Sequence, residues 1–401
     1  VKGEDEGFRQ GMVAAYRRFL DTLLYEKYSQ ARAFMKAMAP HQSVSFRMTE
    51  AGNPTFRWGQ RIPFDYAYLG GAVDAFEPEA YGRIGDWEKV KPGWFTRPYG
   101  RWANPELPLF WAEGGVNAWV LSSMEATPDS LAYQGQYLRD LYRMLTASAA
   151  DGIFYWWYPG GFRVGENSDY GIINPDGSDR ASTVAIRECG PVFMNAPALP
   201  EPDVWLEIDR DPHPEGIAGI YDDVQEAFWK AIEEGKTPGL KTEATGTTSA
   251  DCPLKAVGNR PYNGHNPLKY LDGFIDQVEV RVAGGPWMRA ESGSLTRVTP
   301  GQAVEARALV TNLCEPVWLA SGAPNRDGVV RLVALDASGA AASPTAELPR
   351  DMARFDQVWT EPFRLCDTLE PGNELDVTLA FEAANRGVFG RRFTIRLTAL
   401  K

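Results

Sequence analysis

The sequence predicts a parallel α/β region followed by an antiparallel β-sandwich, and two observations predict this order. Over about the first 195 residues, short β-type runs alternate with helical ones, as in β/α units around a parallel sheet. From Phe274 onward, short alternating strands are separated by Gly, Pro and Asp turns, which is typical of an immunoglobulin-like sandwich. We therefore expect three parts, namely a parallel α/β part at 1–198, an intermediate α+β segment at 199–273 and the sandwich at 274–401.

The individual elements follow from local spacing. Apolar residues recur at helical intervals from Phe8 to about Ala39, which predicts one long amphipathic helix that ends at Pro40. A second helix is predicted over 128–148, and one strand and one helix at 204–208 and 221–234. Strand-like runs are predicted at 43–48, 64–69, 73–76, 107–112 and 152–158. The Pro- and Ala-rich stretch at 191–202 marks the boundary after the first part.

Length and charge exclude several classes of protein. The 401 residues carry 41 Lys and Arg against 53 Asp and Glu, a formal net charge of −12. Such a chain buries a core without disulfide or metal support, and no basic face is available to neutralise phosphates. No run approaches the length of a membrane span, and the first residues are charged. We expect neither nucleic acid nor a membrane as partner.

Cysteine and histidine offer little material for catalysis. The four cysteines are too far apart for a zinc motif, and the three histidines share no short spacing. Cys314 and Cys366 could bridge a sandwich, and four separate thiols are an equally good interpretation. No metal and no organic cofactor is implied, so carboxylates are the expected catalytic groups.

The segment LPLFWAEGGVNAW supplies the first candidate. Its β-type run ends at Glu113, directly before two glycines. A carboxylate at the C-terminal end of a barrel strand lies on the face where such folds place catalysis. A turn glutamate that faces solvent is the alternative.

A second candidate group follows the run at 152–158. Trp156 and Trp157 end this strand, and a Gly-rich loop with Arg163, Glu166 and Asp169 follows. An indole beside polar side chains can bind the apolar face of a sugar ring. Core packing is the alternative, and adjacent side chains on one strand are expected to point to opposite sides.

Two further segments add polar residues near strand ends. Glu79 and Tyr81 follow one run, and Tyr81 could hold a neighbouring carboxylate by a hydrogen bond, whereas a solvated loop is the commoner fate of Glu79. Arg47 and Glu50 end another run. Arg47 could pair with a barrel carboxylate near substrate, or form a purely structural ion pair.

The order of these segments resembles the C-terminal half of a clan A glycoside hydrolase, a retaining (β/α)8-barrel enzyme, followed by accessory β-domains. YRRFLDTLLYEKY is similar to the helix after the fourth strand, SVSFRM to the fifth strand and AVDAFEPEAYG to the sixth. LFWAEGG is similar to the seventh strand, and GIFYWWYPGG with SDYGIINPDGS to the eighth and its loop. The resemblance covers residues 1 to about 195, and WAEGG and the tryptophan-ended eighth strand are its specific parts.

The resemblance implies roles for individual residues. Glu113 matches the nucleophile of the clan, and Tyr81 matches the tyrosine that often hydrogen-bonds it. Trp156 or Trp157 matches the aromatic floor of the sugar subsite. These assignments predict a covalent glycosyl-enzyme intermediate on Glu113.

One part of the clan's pattern is missing. The acid/base of the clan ends the fourth strand, and here only VKGEDEG precedes the long helix. Half of a parallel barrel leaves two open sheet edges, so a longer polypeptide or a second chain is expected to supply the N-terminal half. The acid/base is expected in that half, with Glu50 as the runner-up within this chain and Glu4 or Glu6 as further alternatives.

We therefore expect a retaining β-glycoside hydrolase that acts on a β-linked polysaccharide or oligosaccharide, with internal cleavage of a β-glucan favoured. An exo-acting, β-galactosidase-like enzyme fits the same residues. A glycan-binding scaffold without a complete carboxylate pair is the third interpretation. A polysaccharide substrate would imply a secreted or periplasmic location.

Overall fold

The structure is a computed structural model. It describes residues 4–48, 52–55, 65–79, 85–210, 213, 216–242, 271–322, 329–384 and 386–399. The chain divides into two compact units, Met12–Lys241 and Thr242–Lys401, and Val1–Gly11 is grouped with the second. The predicted division at 198 and 273 stays a prediction.

The first element is the predicted long helix, α1, which spans Glu4–Met38. The helix ends two residues before Pro40, because a proline ring disfavours helical geometry at the residue before it. Near its end, Arg32 Nε donates to Asp74 Oδ1 at 2.9 Å, and Lys36 Nζ lies 2.7 Å from Asp74 Oδ2. Burial would raise the pKa of Asp74, but the hydrogen bonds from Lys36, the Val44 amide and Arg32 outweigh burial and lower it to about 2. Asp74 therefore fixes the end of α1 to the following segment.

A parallel sheet follows α1, as predicted. Its strands are β1 (Arg47–Met48), β2 (Glu77–Pro78), β3 (Phe110–Gly114) and β6 (Gly152–Tyr155). β1 pairs with β2 and β3 pairs with β6, both in parallel, and the bridges Phe76–Leu109 and Glu79–Glu113 join β2 to β3. The C-terminal ends of all four strands therefore lie at one edge of the sheet. A short antiparallel pair, β4 (Trp119–Val120) and β5 (Glu125–Ala126), follows β3.

Helices connect these strands. They are α2 (Tyr66–Leu69), α3 (Trp87–Val90), a 3-10 helix (Lys91–Phe95), α4 (Thr96–Ala103), α5 (Pro128–Ala147) and α6 (Ala181–Met194). The strand predicted at 64–69 is wrong, because Asp65 accepts a hydrogen bond from the Ala67 amide and caps α2. The strand predicted at 43–48 is shorter than expected. The helix predicted over 128–148 is confirmed, and Thr127 caps it.

The segment after α6 packs onto the same core. It contains β7 (Val204–Glu207), α7 (Ile217–Glu233) and β8 (Pro238–Lys241), and β7 and β8 pair in parallel. Phe95, from the 3-10 helix, contacts Tyr221 and Phe228 of α7, with ring centroids 5.1 and 5.3 Å apart. Aromatic burial of this kind is a large stabilising contribution.

A network of buried charges lies in the same unit. Arg210 Nη2 donates to Asp21 and to Asp65, both at 2.8 Å. Asp65 also accepts from Arg17 and from the Tyr99 hydroxyl. Burial would raise the pKa of Asp65, but Arg210 and Arg17 outweigh burial and lower it to about 2, whereas burial leaves the pKa of Asp21 raised. The network joins α1, the start of α2, α4 and the residues after β7.

The second unit is rich in β-structure. One five-stranded sheet contains β10 (Met288–Ala290), β9 (Gly273–Val282), β12 (Val304–Asn312), β15 (Gln357–Trp359) and β16 (Phe363–Cys366). The other contains β11 (Leu295–Val298), β18 (Gly387–Ala399), β17 (Glu374–Ala383), β13 (Val330–Leu335) and β14 (Ala341–Glu347). Both sheets contribute to one hydrophobic core, as their alternating buried residues require.

Trp318 is fully buried in this core, where it contacts Phe381 and Phe389 with centroid distances of 4.9 and 5.5 Å. Its indole N–H donates to Cys314 Sγ at 3.1 Å. Cys314 and Cys366 are free thiols, so the bridge between them that the sequence left open does not form. No helix in the described part of the chain has the length and apolarity that a membrane span requires.

Candidate active site

Glu113 occupies the penultimate position of β3, at the C-terminal edge of the parallel sheet. A parallel bridge pairs it with Glu79, which directly follows β2. The side chain of Glu113 is 13% exposed and that of Glu79 only 4%. Neither carboxylate is a solvated loop residue, so the solvent-facing alternatives for both are wrong.

Arg47, on β1, holds both carboxylates. Its Nε lies 2.6 Å from Glu79 Oε1, and its Nη1 donates to Glu113 Oε1. The guanidinium offsets part of the repulsion between the two carboxylates. Although it makes both contacts, the Arg47 side chain is 50% exposed, so the ion pairs lie at an accessible edge.

Glu77, on β2, is paired in register with Arg47. Burial raises the pKa of Glu77, while a hydrogen bond from Ser45 and the charge of Arg47 oppose this shift. Spacing along one strand does not reveal that Glu77 lies beside Arg47 of the neighbouring strand.

The backbone after β6 lies against the end of β3. The Trp156 N–H donates to the Gly114 carbonyl at 2.9 Å. A Cβ atom at position 115 would overlap the carbonyl oxygen of Trp156, so a glycine is required at 115. This close approach fixes Trp156 next to the strand end that carries Glu113.

The two tryptophans lie beyond the end of β6 and not within it. Their ring centroids are 5.6 Å apart, so the expectation that they point to opposite sides of a strand is wrong. The Arg163 guanidinium lies 3.9 Å from the Trp157 centroid and 5.1 Å from that of Trp156. Arg163 also pairs with Glu166 at 2.9 Å. The structure thus brings Trp156, Trp157, Arg163 and Glu166 into one group, with a cation against the indoles.

Other predicted residues have different positions. Asp169 is buried in a separate ion pair with Arg180, a residue that sequence reasoning missed. Tyr81 and Glu50 lie outside the described residues. Glu4 and Glu6 lie in the first turns of α1. Among the residues that the structure describes, no three His, Cys, Asp or Glu side chains are grouped so that they could hold a metal ion.

No protein-family model and no curated protein matches the sequence. Among solved structures, the chain is similar to GH5_18 from Streptomyces cattleya in complex with GlcNAc, with 13% identity and a TM-score of 0.38, over 51% of this chain and 52% of that one. It thus spans about half the length of that protein.

Two other solved structures are similar over different shares of the chain. The polyextremophilic beta-galactosidase from the Antarctic haloarchaeon Halorubrum lacusprofundi has 13% identity and a TM-score of 0.43, over 90% of this chain and 69% of that one. An exo-beta-1,4-mannosidase from Opitutaceae bacterium strain TAV5 has 13% identity and a TM-score of 0.36, over 59% and 44%. These three structures are glycoside hydrolases, a GH5 enzyme of clan A among them, as the sequence resemblance predicts.

Proposed function

We propose that this chain carries the nucleophile of a retaining β-glycoside hydrolase. The position of Glu113 is the observation on which the proposal depends. Its partly exposed carboxylate ends a parallel strand, beside Arg47 and next to the backbone of Trp156. In barrels of parallel strands, this edge of the sheet is where catalytic side chains lie.

In the proposed reaction, Glu113 attacks the anomeric carbon as the bond from that carbon to the leaving oxygen breaks. A second carboxylic acid gives its proton to the leaving oxygen, and Glu113 becomes bonded to the sugar. The second carboxylate then takes a proton from water, and the resulting nucleophile attacks the same carbon and releases Glu113. Tyr81 is proposed to position the nucleophile by a hydrogen bond.

The acid/base is proposed to come from outside this chain. Glu79, the carboxylate paired with Glu113, is buried and contacts Arg47 Nε through Oε1 at 2.6 Å, so we do not assign this role to it. The proposed source is an N-terminal half-barrel, in the same polypeptide or in a second chain, with Glu50 as the alternative within this chain.

The proposed substrate is a β-linked glycan, with internal cleavage of a β-glucan favoured and exo-cleavage of a β-galactoside as the alternative. Trp156 and Trp157 would bind the apolar faces of sugar rings, and Arg163 and Glu166 would hydrogen-bond hydroxyl groups. Arg47 and Glu79 would line the subsite next to the nucleophile. Since Arg163 lies against both indoles, a sugar has to share that surface with the guanidinium or displace it.

The second unit is proposed to be an immunoglobulin-like spacer. Trp318 is buried in the core of this unit and is not available to a ligand. A polysaccharide substrate would place the protein outside the cell or in a periplasm, which is part of the same proposal.

The test uses the wild-type protein and Glu113→Gln, each with the polypeptide that completes the barrel. We expect wild type to release products from soluble β-glucan, and Glu113→Gln to lose most of that activity. Glu106→Gln is the matched control, because Glu106 is an exposed glutamate just before β3. A 2-deoxy-2-fluoroglycoside with a good leaving group should add the mass of one sugar to the peptide that contains Glu113.

The products distinguish the alternatives. A ladder of oligosaccharides supports internal cleavage, and monosaccharide alone supports exo-cleavage. Near wild-type turnover by Glu113→Gln would reject the nucleophile assignment. Tight glycan binding without hydrolysis after long incubation of the completed protein would favour the binding scaffold.

A further inference from the structure

Asp169 and Arg180 form a buried, two-pronged ion pair. Arg180 Nη2 donates to Asp169 Oδ2 at 2.7 Å, and Nη1 donates to Asp169 Oδ1 at 3.1 Å. Each side chain is 2% exposed. Asp169 is therefore closed to a glycan, in contrast to the contact role that the sequence predicts for it.

The same two residues order the loop after Trp157. Arg180 also donates to the Gly171 carbonyl at 2.7 Å and to Asn174 Oδ1 at 3.0 Å, and the Gly171 amide donates to Asp169 Oδ1 at 2.9 Å. A Cβ atom at Gly160 would overlap the Arg180 guanidinium. The loop backbone therefore contacts this side chain at Gly160 as well as at Gly171. Burial would raise the pKa of Asp169, but hydrogen bonds from Arg180 and backbone amides outweigh it and lower the pKa.

Asp169 also binds the chain that follows β3. Its amide donates to Asn117 Oδ1 at 2.8 Å, and its carbonyl accepts from the Ala118 amide at 2.8 Å. Asn117 Oδ1 accepts from the Trp119 amide as well, at 2.9 Å. The segment that follows Glu113 is thus hydrogen-bonded to the loop after Trp157 through Asp169.

The other end of this connection is the tryptophan pair. The Ile172 amide, three residues after Asp169, donates to the Trp157 carbonyl at 3.1 Å. Hydrogen bonds and short stretches of backbone therefore connect the residues after Glu113, through Asn117 and Asp169, to the backbone of Trp157. Buried, fully paired networks of this kind hold side chains in one arrangement.

We infer that Asp169 and Arg180 are positioning residues, which fix Trp156 and Trp157 relative to Glu113 and do not touch the glycan. This inference rests on the proposed function for the meaning of the tryptophan surface. The claim that Asp169 and Arg180 order the loop does not depend on that function, and it can be tested without measuring hydrolysis.

The test compares wild type with Asp169→Asn, which keeps the shape of the side chain and leaves the Arg180 charge buried. Amide hydrogen exchange is measured at Ala118 and Gly171, under conditions in which far-UV circular dichroism shows that both proteins are folded. We expect faster exchange at these amides and unchanged exchange in α5. Arg187→Met is the control, since it breaks the Arg187–Asp179 pair, whose side chains are 65% and 41% exposed, near the end of the same loop.

The second readout is binding of a soluble β-glucan, followed by tryptophan fluorescence. We expect Asp169→Asn to raise the Kd about tenfold, because a displaced aromatic surface loses contacts, and Arg187→Met to leave it unchanged. A purely structural role would change the unfolding midpoint and leave the Kd of the folded protein as in wild type. Unchanged exchange at both amides, or an unchanged Kd beside faster exchange, would overturn the inference.

Asn117→Ala is the second variant if Asp169→Asn does not fold, because it cuts the same path without leaving a buried charge. Asn117→Ala should raise the amide exchange rates of Asp169 and Trp119. It should also raise the Kd for glucan, as Asp169→Asn does. Absence of glucan binding by the completed wild-type protein would reject the favoured β-glucan substrate, and the exchange result would still decide whether Asp169 and Arg180 order the loop.

Discussion

Arg210→Met should destabilise the first unit strongly, because it removes the cation that two buried carboxylates share. Asp21 and Asp65 each lie 2.8 Å from Arg210, and their side chains are 4% and 1% exposed. Arg17 remains beside Asp65, so Asp21 loses its hydrogen-bonded cation. Removal of one partner from a buried pair typically costs about 3–5 kcal/mol, because an uncompensated charge remains.

The assays are urea unfolding, which gives the free energy of unfolding, and thermal unfolding, which gives Tm. Both are followed by circular dichroism at 222 nm, which reports the helices of the first unit. A loss of about 3–5 kcal/mol corresponds to a fall in Tm of roughly 6–20 °C for a unit of this size. Arg139→Met is the control, because its ion pair with Glu188 is exposed, with side chains 37% and 56% accessible. Such pairs contribute about 0–1 kcal/mol.

The pH dependence gives an independent check with a defined sign. Without Arg210 the pKa values of both carboxyl groups rise, so the variant takes up protons at a higher pH than wild type does. Protonation removes the uncompensated charge, and the difference in stability between the two proteins should therefore shrink as the pH falls below about 5. A loss no larger than that of Arg139→Met, or a difference that grows as the pH falls, would refute the reasoning.

Three further outcomes follow from the structure. Trp318→Ala should lower the free energy of unfolding of the second unit by about 3–5 kcal/mol, because it leaves a core cavity. Trp205→Ala, at an exposed position, should change the free energy of unfolding by no more than about 0.5 kcal/mol. Urea titration measures both changes. Asp74 has a pKa lowered from 3.8 to about 2, so its contribution is complete above about pH 5 and is lost progressively as the pH falls to about 1. That contribution is of order 2 kcal/mol, and Asp74→Asn should abolish this step in a titration of stability against pH. Arg163→Ala should uncover the indole of Trp157, seen as faster labelling of its peptide in hydroxyl-radical footprinting, and an unchanged labelling rate would contradict the stacked arrangement.

Much of the local structure can be predicted from the sequence. The apolar spacing of α1 and α5 predicts both helices, because a helix buries one face and its pattern is carried within the element itself. The strand-end position of Glu113 follows from the run before it and the glycines after it. The strand predicted at 64–69 fails because one side chain, Asp65, caps a short helix that apolar content alone does not reveal.

The sequence by itself determined the periodic elements, the parallel order of the first unit and the strand end that carries Glu113. The tertiary structure alone decided which charges meet there. Arg47 and Glu113 are 66 residues apart in the chain, and no spacing rule relates them. The same holds for Asp169, whose polar character suggests a surface role until its partner Arg180 is placed beside it. Periodicity is a property of one element, whereas an ion pair depends on how separate elements pack.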